Sequence, residues 1–363
     1  MDTPDPQALT TTALWLAFGL ATALGAWSQR SHFCSMGAVA DWFNFGDSTR
    51  ARAFGLALAV ALAGFAGLAA SGQIDPAGTF YTAPRLVWAS HLVGGLMFGA
   101  GMVLASGCGA RTLTRIGGGN LKSLVVFLVM GLAAQATLRG VTAVARDATV
   151  DRLAVTLSTR QDLASVLGLS ASGRLGLSLG LATLLAALVL WRSRWREVLP
   201  GAGVGLLLVA MWWVSGHLAY LPEHPETLEP VYLAASSKTM EAFNFVGPVA
   251  FVLDWLTLFS DRSRSLGFGV VLAAGMVLGG GLSALARREF RWEGFADLGD
   301  LRRHLLGAVL MGVGGVTALG CSIGQGLSGL STLALGSLIT APALVAGAWA
   351  ALRWNAARLE REA

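Results

Sequence analysis

This sequence has few charged residues and few cysteines, and its first residues include no basic segment. Charged residues make up 13% of its 363 positions, hydrophobic residues make up 54%, and the mean hydropathy is +0.62. Such a composition excludes an ordinary soluble domain. The first six residues, MDTPDP, lack the basic region of a cleaved signal peptide, so we expect the first apolar run to be a retained span. The class that remains is a polytopic helical membrane protein, because helices satisfy their own backbone hydrogen bonds in hydrocarbon.

Other absences narrow the function. The chain has no GxxxxGK[ST] motif, which argues against ATP hydrolysis by this chain, and its net charge of +5 gives no reason to expect nucleic acid as a partner. Its only cysteines are Cys34, Cys108 and Cys321. This odd number at wide spacing makes neither a disulfide framework nor a zinc site. We therefore expect no metal and no cofactor.

Apolar runs of the length that crosses a bilayer recur along the chain. We predict about nine spans, near 12–29, 53–71, 87–107, 121–138, 175–191, 199–216, 266–286, 304–320 and 335–353. Four segments between them are too short or too broken to cross, namely 35–47, 108–120, 241–259 and 321–333. Such segments are candidates for re-entrant half helices, which are tolerated where protein or a water-filled cavity covers them.

The chain contains its cysteine motif twice. When His91 is set against His304 and the halves are compared without gaps, Cys108 meets Cys321. The other matched pairs are Gly94 with Gly307, Gly99 with Gly312, Gly101 with Gly314, Gly107 with Gly320, Asp41 with Asp254 and, after a one-residue slip, Arg50 with Arg264. Each copy holds four predicted spans and two half helices, and a single connecting span inverts the second copy, as in many secondary transporters. We predict an all-α fold with a first repeat at 1–138, a connecting loop and span at 139–198, and an inverted repeat at 199–363.

Arginine placement predicts the orientation in the membrane. Arginines cluster at 192–196, at 287–303 and in the tail beyond 352, and we place all three groups on the cytoplasmic side. The acidic loop at 222–229 then faces outward. The N-terminus is expected outside and the C-terminus inside. The arginines of 139–174 do not fit this orientation, because that segment is then placed on the outer side.

The repeated motif suggests a site for an anion. Cys108 and Cys321 each end an apolar run and precede a glycine-rich segment, so each is expected at the N-terminus of a half helix, where free N–H groups favour negative charge. The surrounding glycines would let the backbone approach a ligand, and they are Gly107, Gly109, Gly320, Gly324 and Gly326. A neutral thiol can donate a weak hydrogen bond to an anion. Cys34 has no repeat partner, since Gly247 stands at the matching position, and it adds a third thiol.

Plainer interpretations stand beside this one. Free cysteines often serve as small apolar residues. His32 could activate Cys34 as a nucleophile. Arg111 and Arg115 could attract an anion or extend to the membrane interface. The matched Asp41 and Asp254 could be functional charges or structural anchors.

Four motifs resemble those of a known family: FC at 33–34, LASGC at 104–108, RIGGG at 115–119 and GCSIGQGLSG at 320–329. They resemble the YeeE/YedE family of sulfur-transport membrane proteins, in particular its thiosulfate-uptake members. The resemblance implies a non-enzymatic, hourglass-shaped inner-membrane protein with nine spans and central loops. It also implies that thiosulfate passes between Cys34, Cys108 and Cys321 through transient S–H···S hydrogen bonds. A small TusA-like sulfur-carrier protein is the implied cytoplasmic partner.

Two alternatives to this function stay open. Other members of the family have been linked to selenium, so the substrate could be another sulfur or selenium oxyanion. The protein could also be a membrane enzyme that forms a persulfide on Cys34.

Overall fold

The structure is a computed structural model that describes residues 5–191, 193–225, 227–261 and 266–362. Arg192 of the basic cluster and Arg264 of the repeat alignment lie outside the described residues. The described α-helices are α1 (Pro6–Ser31), α2 (Ser35–Phe45), α3 (Thr49–Ala70), α4 (Trp88–Leu104), α5 (Gly109–Gly117), α6 (Leu121–Arg139), α7 (Val141–Ala148), α8 (Leu163–Val166), α9 (Ala171–Trp191), α10 (Trp195–Trp213), α11 (Gly247–Thr257), α12 (Phe268–Ala286), α13 (Leu298–Thr317) and α14 (Leu335–Glu362). Short strands form two antiparallel pairs, β1 (Arg85–Leu86) with β2 (Val155–Thr156) and β3 (Tyr220–Leu221) with β4 (Val231–Tyr232).

Capping side chains define several helix starts. The Asp5 carboxylate accepts the N–H of Gln7 at the start of α1, and the Asn120 side chain accepts the N–H of Ser123 at the start of α6. Asp297 does the same for α13. Each cap satisfies an N–H group that has no partner within its helix.

Eight helical segments of the described chain are long and apolar enough to cross a membrane, so the protein is an all-α polytopic membrane protein. These segments are Pro6–Phe45, Thr49–Ala70, Trp88–Gly117, Leu121–Arg139, Ala171–Trp191, Trp195–Leu218, Phe268–Ala286 and Leu335–Arg358. The prediction of about nine also counted 304–320, which falls largely within α13. That helix begins earlier than expected and includes Asp300, Arg302 and Arg303. Because of these charged residues it is not counted among the eight apolar helices. It nevertheless packs against both α4 and α6.

Close helix crossings account for part of the high glycine content. A Cβ atom on Gly201 of α10 would overlap the Ala53 carbonyl oxygen of α3. One on Gly312 of α13 would lie 2.5 Å from the Met130 carbonyl oxygen of α6. Small residues at such crossings let two backbones approach within the membrane, where packing rather than the hydrophobic effect joins helices.

The two halves of the chain pack into each other. α1 packs against α12 and α10 against α3, while α4 packs against α14 and α13 against α6. Each of these pairs joins one helix of 1–138 to one helix of 199–363. The connecting helix α9 packs mainly against α3 at the edge of the bundle. The two halves are therefore parts of one packed body, and their inverted relation stays a prediction.

Matched helix ends lead into the cysteine motifs. α4 ends at Leu104 and α13 at Thr317, which are equivalent positions in the repeat alignment. Two residues further on, Ser106 and Leu319 both adopt a left-handed backbone, with φ of 57° and 58°. This conformation is unfavourable for residues other than glycine, so both turns are held by their surroundings.

Short helices are found in all four of the segments predicted as half helices. α2, α5 and α11 lie within 35–47, 108–120 and 241–259. The fourth segment, 321–333, contains a six-residue π-helix, Gly324–Gly329. The residues before α11, 240–246, form no helix, and most of them are fully buried.

Candidate thiol site at the helix breaks

Cys34 and Cys108 occupy equivalent places at the starts of two short helices. Cys34 is the N-cap of α2, and its Sγ accepts the N–H of Gly37 at 3.4 Å. Cys108 is the N-cap of α5 and is 2% exposed. Both thiols thus lie where helix N-termini direct unpaired N–H groups.

The Cys34 and Cys108 thiols lie close together. The Ser35 and Ser322 hydroxyls lie beside Cys108. Ser35 donates to Ser322 with an Oγ–Oγ distance of 2.7 Å. Cys108 and Cys321 are matched in the repeat, but the thiol directly beside Cys108 is that of Cys34. The serines were missed by the sequence analysis, although a signal was present, since each directly follows a cysteine.

Two backbone N–H groups bind the third cysteine, Cys321. It is fully buried, and its Sγ accepts the N–H of Phe245 at 3.4 Å and that of Gly324 at 3.3 Å. As predicted, it precedes a short helix, which is the π-helix Gly324–Gly329. Its neighbour Ser322 links it to the Cys34–Cys108 contact. The three cysteines therefore form one cluster in which Cys108 is central.

Cys34 is the cysteine that reaches a cavity. It is half-buried and lines a cavity of about 340 Å³. The polar side chains lining this cavity are Ser31, His32, Asp41, Asp47, Thr49, Arg50 and Glu197. His32 is exposed, and no hydrogen bond joins it to Cys34 among the described contacts. Cys34 is thus the most accessible of the three thiols, and Cys108 and Cys321 are both buried.

The structure separates the roles of two arginines. Arg111 of α5 donates from Nη1 to Gln29 Oε1 at 3.2 Å and lies near enough to the Cys34 and Cys108 thiols for its charge to act on them. Arg115 instead donates to the Ser106 carbonyl oxygen at 2.8 Å. Arg115 therefore supports the left-handed turn, and Arg111 supplies the positive charge at the site.

We expect Arg111→Gln to weaken uptake of a divalent anion about tenfold at low substrate concentration, because one attractive charge near the thiols is lost. At an effective dielectric constant near 20, such an attraction at several ångströms is worth about 1–3 kcal/mol, and about 1.4 kcal/mol is a tenfold effect. The measurement is the concentration dependence of uptake. Arg30→Gln is the matched control, since Arg30 is exposed in the last turn of α1. Equal effects of both substitutions would contradict a local role.

Protein groups fill the space beside the predicted glycines. A Cβ on Gly109 would lie 2.9 Å from the Phe245 carbonyl oxygen, and one on Gly324 would lie 3.0 Å from the Asn244 side chain. The nearest groups to the other three glycines are Arg111 for Gly107, Gln325 for Gly320 and Phe54 for Gly326. These glycines therefore allow tight packing around the thiols. Their contact with an anion stays a prediction.

The matched aspartates both form ion pairs. Asp41 pairs with Arg50 at 3.2 Å, and Asp254 pairs with Arg139 at 2.9 Å while also accepting from Gln135. These contacts fit the interpretation of structural anchors. Within the described part of the chain, no three His, Cys, Asp or Glu side chains form a group that could hold a metal ion.

Fold and site together define a class of protein: a multi-pass membrane protein whose broken helices gather thiol and hydroxyl groups in its interior. Within that class the chain belongs to the sulphur-transport family, whose model matches residues 30–350.

Two relatives extend over nearly the whole chain. A thiosulfate transporter, TsuA, of Escherichia coli is 26% identical over 352 residues, covering 90% of each chain. A protein of the same name in Spirochaeta thermophila is 26% identical over 348 residues, covering 93% of this chain and 97% of its own.

Proposed function

We propose that this protein imports thiosulfate across the cell inner membrane and passes the anion between Cys321, Cys108 and Cys34. The observation that carries the proposal is the proximity of the Cys34 and Cys108 thiols, with the Ser35 and Ser322 hydroxyls beside them. The similar proteins named thiosulfate transporters supply the substrate. The relationship to transporters also favours a role other than catalysis.

Hydrogen bonding from neutral thiols and hydroxyls is the proposed mechanism. A protonated thiol donates weakly through its S–H, and so it can hold the terminal sulfur of thiosulfate without trapping it. A thiolate would repel the dianion. Arg111 and the N-termini of α2 and α5 offset the negative charge in the interior. The serine hydroxyls replace part of the water that the oxygen atoms lose.

The direction of transport follows from the predicted orientation. In an inverted repeat with the arginine clusters inside, Cys321 faces the outer route and Cys34 the inner cavity. Support comes from Glu197 of α10, close to the 192–196 cluster in the chain, which lines the same cavity as Cys34. Support for the repeat comes from the packing, because exchanging the halves converts the α1–α12 pair into the α10–α3 pair.

A driving force is needed for this direction. A membrane potential that is negative inside opposes each negative charge by about 2.3 kcal/mol per 100 mV, so a dianion meets about 5 kcal/mol at that potential. Removal of the anion in the cytoplasm would sustain the inward flux. A TusA-like sulfur-carrier protein is the proposed acceptor, docking where the cavity beside Cys34 opens.

A test of the proposed function is uptake of ³⁵S-labelled thiosulfate by proteoliposomes containing the purified full chain. We expect saturable uptake above that of empty liposomes, with stronger competition from unlabelled thiosulfate than from sulfite or selenite. Stronger competition from another oxyanion would favour that substrate instead. A persulfide on Cys34, seen as a sulfur adduct by mass spectrometry, would favour the enzyme alternative. Absence of uptake would overturn the proposal.

A further inference from the structure

Glu241 carries a buried carboxyl group. Neither the fold nor the thiol cluster explains why it is buried. It lies in the non-helical stretch 240–246 before α11 and is 8% exposed. Its Oε1 accepts the N–H of Ser237 at 3.3 Å and the Ser237 hydroxyl at 3.1 Å. Among the described residues, no lysine, arginine or histidine forms an ion pair with it. A buried carboxylate held only by neutral donors is unstable relative to its protonated form.

Two observations connect Glu241 to the thiol cluster. The same stretch supplies the Phe245 N–H that binds Cys321 Sγ. Tyr81, which is 5% exposed, lies near enough to both Glu241 and Cys321 for a charge on either to act on its hydroxyl. Glu241, Tyr81 and Cys321 are thus neighbouring groups with exchangeable protons.

A second cavity is lined by a residue that binds Glu241. This cavity has a volume of about 340 Å³, and its lining includes Ser236, whose backbone lies near enough to hydrogen-bond Glu241. The charged residues lining it are Arg139, Lys238 and Asp254. Arg139 and Asp254 pair with each other, which leaves a net positive lining from Lys238. The buried carboxyl group is therefore one residue contact away from an open cavity.

We propose that Glu241 is a proton-binding site that couples inward movement of the anion to inward movement of a proton. The inference rests on the proposed function and orientation. The carboxyl group takes a proton from water on the outer side, which removes a negative charge from the path of the anion. The proton then leaves with the anion to water on the inner side, offsetting one of the two charges that the membrane potential opposes.

Burial supports this assignment, because it raises the pKa of the Glu241 carboxyl, while the Ser236 and Ser237 donors only partly lower it. The charged or titratable groups that face it or its cavity are Tyr81, Cys321, Lys238, Arg139 and Asp254. The raised pKa of Glu241 sets the direction in which uptake depends on pH. Uptake should be fast while Glu241 is protonated and should fall as the outer pH rises through its pKa.

The experiment uses proteoliposomes with the membrane potential clamped at zero and the lumen one pH unit more alkaline than the outside. Coupling to one proton predicts accumulation of labelled thiosulfate up to about tenfold, since one pH unit is a tenfold proton gradient. We expect Glu241→Gln to abolish accumulation while thiosulfate exchange across the membrane continues. Glu223→Gln, an exposed acid of the neighbouring loop, should accumulate thiosulfate like the wild type. Full accumulation by Glu241→Gln would overturn the proposal.

A second measurement needs no variant. A pH-sensitive dye trapped in wild-type proteoliposomes should report acidification when thiosulfate is added outside. If the wild type exchanges thiosulfate but shows neither acidification nor accumulation, the coupling is wrong and the transport function stands. If it exchanges no thiosulfate, the transport function itself fails.

Discussion

Replacing Cys108 with alanine is expected to lower thiosulfate uptake about 100-fold. Cys108 is the central member of the cluster and lies beside Cys34, Ser35 and Ser322, so its loss removes a donor from the path of the anion. An unmade hydrogen bond in a buried site costs about 1–3 kcal/mol. The upper end of that range corresponds to about 100-fold, since about 1.4 kcal/mol is a factor of ten. The measurement is initial uptake in proteoliposomes at matched protein content.

Two variants control for this result. Thr112→Val removes a buried hydroxyl of the same helix, one that donates to the Cys108 carbonyl oxygen at 3.1 Å and lies outside the thiol cluster. It should leave uptake within about twofold of the wild type, since a single hydroxyl to backbone bond contributes little net stability. Cys108→Ser, which retains a donor, should recover part of the rate. If Cys108→Ala takes up thiosulfate as fast as the wild type, the proposed thiol pathway is wrong.

Replacing Gly201 with alanine is expected to lower the melting temperature in detergent by roughly 1–4 °C, because overpacking of this kind costs about 1–3 kcal/mol and about 1 kcal/mol shifts the melting temperature of a chain of this length by a little over 1 °C. The added Cβ would overlap the Ala53 carbonyl oxygen, a backbone atom that cannot rotate away. α10 and α3 must then separate. The measurement is thermal unfolding followed by size-exclusion chromatography with fluorescence detection.

Gly67→Ala is the matched control, because Gly67 is an exposed glycine of α3 whose added Cβ would have no neighbouring atom within 4 Å. Alanine favours a helix interior over glycine by about 0.5–1 kcal/mol, so this variant should melt at the same temperature or slightly higher. If Gly201→Ala melts at the same temperature as Gly67→Ala, the α3–α10 crossing tolerates a larger separation and the prediction is wrong.

Helix breaks were the best-predicted part of the site. A cysteine at the end of an apolar run, followed by glycines, predicted the end of α4 near Cys108 and the start of α5 directly after it. This succeeds because span length and chain polarity are local properties. The same logic placed α2 after Cys34. After Cys321 the predicted short helix is a π-helix, and its Ser328 hydroxyl donates to the Phe243 carbonyl oxygen of the buried stretch 240–246.

Contacts between distant segments could not be predicted from the sequence. Cys34 and Cys108 meet because the starts of α2 and α5 come together, and nothing in their spacing favours this pairing over that of the matched Cys108 and Cys321. The Ser35–Ser322 hydrogen bond joins residues from opposite halves in the same way. An internal repeat indicates which segments are alike, whereas contact depends on which of them become neighbours.

By itself, the sequence determined the class of protein, the positions of most spans and the three thiols. Hydropathy, arginine placement and glycine spacing are properties of the linear sequence, so they can be identified without knowledge of the fold. The tertiary structure alone decided that Cys108 lies next to Cys34, that Arg111 rather than Arg115 lies near the thiols, and that Glu241 is buried. These properties depend on distance and burial, which arise only when segments far apart in the chain are packed together.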